Sequence, residues 1–508
     1  MTEMHSNLIK HPSIRKILEH YRVIWSLNHL SGLGNWDLET YMPEEGSEAR
    51  GEALSKIASL SQKLFLEKEF VELIKESSKL NDLNDYEKAI IRMLLRDLEF
   101  YEKLPSAFIE DFVKTTSEAT TVWRKAKNSS NFSLFEPYLK KIVELCKKKA
   151  EYLGYKESPY DALLDRYEEG LTTKEVEKYF ASIKTILVEL TNRIKKSESY
   201  RGSHSLEEEK YDIETMHKFN QKLLKFIHGE LTHLRIDVSS HPFSTSLGKG
   251  DARITTRYKG KDFAGTYGST MHEYGHSLYE IQSHNDLHYT PIAGGSSLIV
   301  HESQSRFWEN FIGRSEEFLK LIYGDLVEAQ PSFKKYDLSE IYKYLNLVKP
   351  SLIRTEADEI TYHLHILIRF EIEKDLIEGK IDVKDLPKIW NEKYKSYLGV
   401  DVPSDREGVL QDIHWSGGSI GYFPTYSLGT ALSAMWKHHL EKEIGDIPQL
   451  LKSMDGINKI KDWLKKNIHE YGSTYTFREL VLKSCGEEFN PKYLLEYLED
   501  KYGKMWNL

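Results

Sequence analysis

His272 and His276 stand four residues apart with Glu273 between them, in the run His272-Glu273-Tyr274-Gly275-His276. On a helix that spacing stacks two imidazoles on one face and sets a carboxylate beside them, a bidentate metal clamp with a base at hand. A hydrolytic metal takes three protein ligands and keeps one position open, so a third side chain must come from elsewhere. Glu302, in His301-Glu302-Ser303-Gln304, follows far enough along for the first helix to end and a second to return past the metal. Gly294, Gly295, Ser296 and Ser297 punctuate the turn between them. The chemistry such a set performs is hydrolysis: the ion acidifies water, and Glu273 takes the proton and passes it to a leaving amine.

The five-residue pattern would occur by chance roughly 0.08 times in a chain of this composition, so its surroundings must decide. Met271, Leu278 and Ile281 give the segment an apolar face, and Gly275 leaves space close to the metal. A surface helix bearing two histidines needs neither. A metzincin is excluded, because Tyr279 and Gln282 occupy the positions of its glycine and third histidine. Arg306 stands four residues after Glu302 where thermolysin-type enzymes have an acid.

The elements that must position these groups are helical. Thr172 with Glu175 opens a capping box, and Val176, Tyr179, Phe180, Ile183, Leu187 and Leu190 follow at helical spacing, which predicts about five turns. Similar patterns cover 11–31, 46–75, 85–127, 133–153, 207–230, 337–378, 425–442 and 475–501, with an exposed loop at 195–210. The exception is 235–263, where Arg253-Ile254-Thr255-Thr256-Arg257-Tyr258 alternates, and a small sheet is expected just before the metal helix. Its edge could pair with a substrate backbone, or it could be a structural hairpin. With 14 prolines, no fixed-period repeat and no long Gly/Ser tract, the chain reads as a single unit, 1–508, mainly α, with two lobes around a groove as one form of it.

Composition bounds the partners. A 508-residue chain that is 40% hydrophobic and 29% charged is an ordinary globular protein with a large core. A net charge of −9 with no basic stripe argues against nucleic acid, and the Lys147, Lys148, Lys149 run is read as a solvated helix face. Two distant cysteines, Cys146 and Cys485, make no disulfide framework and fit a reducing cytosol. No run reaches the length of a membrane span, and the polar segment Met1 to Lys10 lacks a signal peptide's apolar stretch, so a cytoplasmic location is expected.

Further clusters carry a resemblance. His241-Pro242-Phe243, Asp251-Ala252-Arg253-Ile254-Thr255, the His272 to His276 run, His301-Glu302-Ser303-Gln304, Ile353-Arg354-Thr355-Glu356-Ala357-Asp358 and Gly408-Val409-Leu410-Gln411-Asp412-Ile413-His414-Trp415 appear in order, and Asn35 to Pro43 adds an N-terminal match. Taken together they resemble the thermostable-carboxypeptidase (M32) family of metallopeptidases over essentially the whole chain. The resemblance implies a large helical zincin of the neurolysin-like kind with a deep groove, a divalent metal at its base, zinc or at times cobalt, and commonly a homodimer. It also implies release of single C-terminal residues from peptides with broad tolerance, slow next to proline.

An exopeptidase must recognise a free carboxylate, which a planar guanidinium does with two parallel hydrogen bonds. Arg354 is the expected anchor; the bland alternative is an i, i+4 salt bridge to Asp358 on a helix. Arg253 is second choice, although Asp251 lies near enough to pair with it locally. His414, Tyr422 and Tyr426, around the glycines of 415–426, are candidate donors to the oxyanion, and the resemblance favours Tyr426. Either tyrosine could instead be core or groove wall. His241 and Asp412 are read as shaping the groove or accepting the second N–H of a ligand histidine. Two other readings remain open: an oligoendopeptidase on the same helical architecture, and a peptide-binding scaffold with a structural metal, against which the intact Glu273 argues.

Overall fold

The computed structural model describes residues 7–508, so the first six residues of the polar start lie outside it. The chain falls into two compact units. One is built from residues up to Glu99, Ser205–Tyr342 and Trp436–Glu488; the other from Phe100–His204, Lys343–Met435 and Phe489–Leu508. Both are mainly helical, and among the described residues no helix is long and apolar enough to cross a membrane.

Local sequence explains the second unit's clearest helix. Thr172 accepts from the Glu175 backbone while Glu175 reaches back to Thr172, and the helix runs Thr173–Lys196, longer than the predicted five turns. The expected stripe, Val176, Tyr179, Phe180, Ile183, Leu187 and Leu190, is buried. Each such side chain contributes about 1.5–3 kcal/mol, which outweighs any propensity term. Elsewhere the predicted spans break where the chemistry breaks them. The 85–127 span is two helices, Asp85–Lys103 and Ser106–Ser129, parted at Pro105. The 337–378 span is Leu338–Leu345 and Tyr362–Ile377, with an irregular stretch between them that contains Pro350 and Arg354.

The first unit holds the only sheet among the described residues, three short strands in the order β1-β3-β2: β1 Leu234–Val238, β2 Ser244–Ser246 and β3 Ala252–Thr256. β1 pairs parallel with β3 and β2 antiparallel, so β2 is an edge strand. β3 is largely buried beneath the helix Phe263–Gln282, which follows it directly in the chain. The predicted small sheet before the metal helix is thus present, as a parallel and antiparallel mixture rather than a hairpin.

Candidate functional site

Two helices of the first unit carry His272, His276 and Glu302. Phe263–Gln282 starts at Asp262, which accepts from the Gly265 N–H from a left-handed backbone at φ 65°. Leu298–Arg306 starts at Ser297, whose hydroxyl accepts from the Val300 N–H. The helices touch at Gly275, where a Cβ would lie 2.4 Å from the Gln304 carbonyl oxygen and 2.6 Å from the Ser305 Cα. Only glycine permits that approach, and the approach is what brings Glu302 to the histidines. His469 ties the far ends together, with its ring nitrogens 2.7 Å from the side-chain amides of Gln282 and Gln304. Burial lowers its pKa to about 3, so the ring is neutral with a single N–H. Both contacts are to the side-chain oxygens of the two glutamines, and the single N–H donates to one of them.

His272, His276 and Glu302 each offer one ligand atom, all within 4.8 Å of one another. Glu302 Oε2 is 3.6 Å from His272 Nε2 and 3.7 Å from His276 Nε2. A tetrahedral ion with donors about 2.0–2.1 Å away spaces them about 3.4 Å apart, so the set fits a metal with small adjustment. The remaining atoms of the same residues are occupied elsewhere. Glu302 Oε1 accepts from Arg306 Nε at 2.7 Å. His272 Nδ1 donates to Glu309 Oε2 at 2.9 Å, and His276 Nδ1 is 2.7 Å from His301 Nδ1. Both imidazoles thus turn Nε2 toward Glu302.

Glu309 lies on a π-helical turn, Phe307–Gly313, that continues the second helix. Burial would raise its pKa, but Arg314, Arg306 and His272 around it pull the carboxyl well below the usual range. Burial would likewise lower the pKa of His272, yet Glu302 and Glu309 raise it. His276 is held well below normal by burial and by His301 beside it. Glu273 is buried, accepts from the Ser244 hydroxyl of β2, and is pushed up to about 7, chiefly by burial and then by Glu302, against the pull of His272. A dication on the three donors would draw that value down again, leaving a carboxylate able to take a proton near neutral pH.

Arg253 makes a bidentate pair with Asp251, at 2.8 Å through Nε and through Nη2, and lies 4.2 Å from the Trp36 ring. The local pair foreseen for it is therefore present. His241 is exposed, within the connection from β1 to β2. Neither it nor Asp412 meets the Nδ1 atom of His272 or His276; Glu309 and His301 do.

The second unit holds the remaining candidates. Arg354 opens a three-residue 3-10 turn, Arg354–Glu356, rather than lying on a helix face. Asp358 does not pair with it. That carboxylate accepts from the N–H groups of Lys349, Ile360 and Thr361 and from the Thr361 hydroxyl, capping the chain break. Arg354 is buried and gives Nε to Asp412 at 2.9 Å and Nη1 to Tyr362 Oη at 3.2 Å. Asp412 also takes Arg369, at 2.7 Å from Nε and 2.6 Å from Nη2, and Gln411 Oε1 accepts from both Arg369 and the Arg354 N–H. Burial would raise Asp412, but Arg369 and Arg354 hold it well below the usual carboxylate range. One carboxylate thus faces two guanidiniums, and the surplus positive charge suits an anion.

Beside Arg354 lie His414, Tyr422 and Tyr426. The guanidinium carbon is 5.1 Å from the Tyr426 ring, His414 Nε2 is 3.3 Å from Tyr426 Oη, and the two tyrosine rings are 5.2 Å apart. Burial, with Arg354 nearby, lowers His414 to about 4, so it is neutral at pH 7. Glu373 fixes this segment, accepting from Tyr160 Oη, Trp415 Nε1 and the Gly421 N–H at 2.7, 2.7 and 2.9 Å. The structure therefore gathers Arg354, His414, Tyr422 and Tyr426 in one unit, and His272, Glu273, His276 and Glu302 in the other. Sequence reading missed Glu280, Glu309, Arg369, Glu373 and His469. Glu280 alone left a signal, at i+4 from His276 on the same stripe.

A family sequence pattern described as carboxypeptidase Taq (M32) metallopeptidase matches residues 16–502. The thermostable carboxypeptidase 1 of Pyrococcus furiosus is 46% identical over 496 residues, 97% of this chain and 99% of that protein. Carboxypeptidase 1 of Bacillus subtilis is 36% identical, with all of both chains covered. The solved Apo-Mg structure of the Pyrococcus furiosus carboxypeptidase superposes with a TM-score of 0.96, covering 98% of this chain and 100% of that one.

Proposed function

The chain belongs to the carboxypeptidase Taq (M32) metallopeptidase family and is a metallocarboxypeptidase acting on peptides, and from that premise we propose that it releases C-terminal residues one at a time, with broad side-chain tolerance and slow release next to proline. We assign the metal to His272 Nε2, His276 Nε2 and Glu302 Oε2, with zinc as the resident ion and cobalt as an effective substitute. The observation that carries this is the convergence of three donors within 4.8 Å while both Nδ1 atoms are engaged elsewhere. When bound there, a divalent ion supplies Lewis-acid polarisation of water and of a peptide carbonyl.

The protein's own groups do the rest. Glu273 takes a proton from water at one carboxylate oxygen and delivers it to the leaving amine nitrogen, and its burial favours that return transfer. Arg354 receives the substrate's terminal carboxylate. Asp412 and Tyr362 occupy Nε and Nη1, so the guanidinium plane is fixed, and Nη2 has no hydrogen-bond partner among the described residues. Tyr426, with His414 and Tyr422 beside it, donates to the developing oxyanion. The edge strand β2, whose Ser244 touches Glu273, pairs with the peptide backbone, which accounts for tolerance of many side chains. Arg253 and His241 border the substrate path. We further propose a cytoplasmic homodimer in which residues 1–508 act as one catalytic body.

The test is a digest of mixed peptides followed by mass spectrometry. The expected product is a ladder shortened from the C-terminus, abolished by a chelator and restored by zinc or cobalt. Internal fragments, or equal cleavage of C-terminally amidated peptides, would overturn the exopeptidase reading in favour of an oligoendopeptidase.

A further inference from the structure

The two ligand histidines are held by different partners, and the difference has a consequence for metal binding. His272 donates from Nδ1 directly to a carboxylate, Glu309, which Arg306 and Arg314 pin in place. His276 instead meets a second imidazole. Its Nδ1 is 2.7 Å from His301 Nδ1, and His301 Nε2 is 2.8 Å from Glu280 Oε1. For His276 Nε2 to hold a metal, its proton must sit on Nδ1, and that proton needs an acceptor. His301 Nδ1 can accept only when the His301 proton sits on Nε2, and Glu280 Oε1 is the group that draws it there.

We propose that Glu280 and His301 are positioning residues that set the tautomer of His276 and so determine how tightly the metal is held; this rests on the assignment of His276 as a ligand. Neither residue touches the ion. The order is fixed by proton placement: Glu280 selects Nε2–H on His301, which makes His301 Nδ1 an acceptor, which keeps Nδ1–H on His276 and leaves Nε2 with its lone pair.

The surrounding backbone is shaped to keep the relay in place. The Gly295 N–H donates to Glu280 Oε1 at 2.9 Å, so that oxygen is held where His301 needs it. A Cβ on Gly294 would lie 2.4 Å from Glu280 Oε2, and one on Gly295 would lie 2.4 Å from His301 Cδ2. Gly294, at φ 82°, also needs a backbone that other residues rarely adopt. The glycine pair that reads in sequence as a mere turn therefore fits closely around the two relay side chains. The Tyr279 ring, 5.2 Å from that of His301, covers it further.

The experiment measures the zinc dissociation constant of the full chain by competition with a chromophoric chelator, with the thermal midpoint of the metal-free form as a folding control. Substitutions H301L and E280L each weaken zinc binding by about 10–100-fold. E280Q keeps an oxygen acceptor at the same place and stays within a few-fold of the parent. Because Glu280 acts through His301, the double substitution H301L/E280L is no weaker than H301L alone. G295A, which crowds His301 without altering either relay residue, weakens zinc as well, so the test survives if a leucine variant fails to fold. Variants that keep the parent's zinc affinity, or losses that add in the double variant, overturn the relay. Failure of the parent itself to bind one zinc, or full zinc binding by E302A, would overturn the metal-site assignment instead.

Discussion

Replacing Gly275 by alanine tests whether the metal donors are assembled by the close contact of two helices. The new Cβ would sit 2.4 Å from the Gln304 carbonyl oxygen, 2.8 Å from its carbonyl carbon and 2.6 Å from the Ser305 Cα. Ordinary contact begins near 3.4 Å, so the Leu298–Arg306 helix must retreat by about 1 Å. All three atoms are backbone, so no side-chain rotation relieves the clash. Glu302 rides on that helix two residues before Gln304, and its Oε2 would leave the 3.6 and 3.7 Å positions that suit a shared ion. Overpacking of this kind costs about 1–3 kcal/mol, offset by about 1 kcal/mol from the better helix propensity of alanine. The net loss of apo stability is therefore small, about 0–2 kcal/mol, while the displaced ligand should cost at least tenfold in zinc affinity and about 100-fold in kcat. Urea unfolding of the metal-free protein and chelator-competition titration read the two effects separately. Gly503, on the Lys492–Trp506 helix with nothing within 4 Å of its Cβ position, is the control: G503A should gain up to about 1 kcal/mol and leave zinc binding unchanged. Parent-like zinc affinity in G275A would show that the helix contact at Gly275 does not place Glu302 for the metal.

Three further outcomes are expected. E273Q should bind zinc like the parent while kcat falls by about 10²–10⁴, and retained turnover would remove Glu273 as the base. R354A should raise KM and lower kcat/KM for free-carboxylate peptides by about 10²–10³, the loss expected when one partner of a buried charge pair is deleted, and an unchanged KM would remove it as the anchor. D412N should be less stable than the parent at pH 7 by about 3–5 kcal/mol, with the gap closing in acid. Because Asp412 is held below the usual carboxylate range when folded, its contribution is full above the unfolded pKa of about 3.9 and is lost as pH falls below it. Thermal midpoints that stay parallel from pH 7 to about pH 2 would contradict that account.

The convergence of His272, His276 and Glu302 was legible because the spacing that produces it is local or punctuated. His272 and His276 share one turn's spacing, and the Gly294 to Ser297 run announced the return that brings Glu302 back. What surrounds these three side chains was not legible, because it depends on backbone detail. Glu309 reaches His272 only through the π-helical turn at Phe307–Gly313, which changes the helical phase on which a sequence reading relies. The Arg354 to Asp358 pairing failed for a related reason. It presumed a continuous helix, whereas the chain leaves helix at Leu345, passes Pro350 and resumes it at Tyr362, with Asp358 capping the restart. The true partner, Asp412, comes from a distant motif that sequence reading named but could not join to Arg354. The small sheet was anticipated from alternation at Arg253–Tyr258, but the parallel register of β1 on β3 is a tertiary choice that alternation alone leaves open.

The most direct measurement is anomalous X-ray diffraction at the zinc edge from crystals of the zinc-loaded protein. One strong peak per chain is expected, about 2.0–2.2 Å from His272 Nε2, His276 Nε2 and Glu302 Oε2, with both Nδ1 atoms still turned to Glu309 and His301. A peak elsewhere, or zinc held through either Nδ1, would contradict that placement.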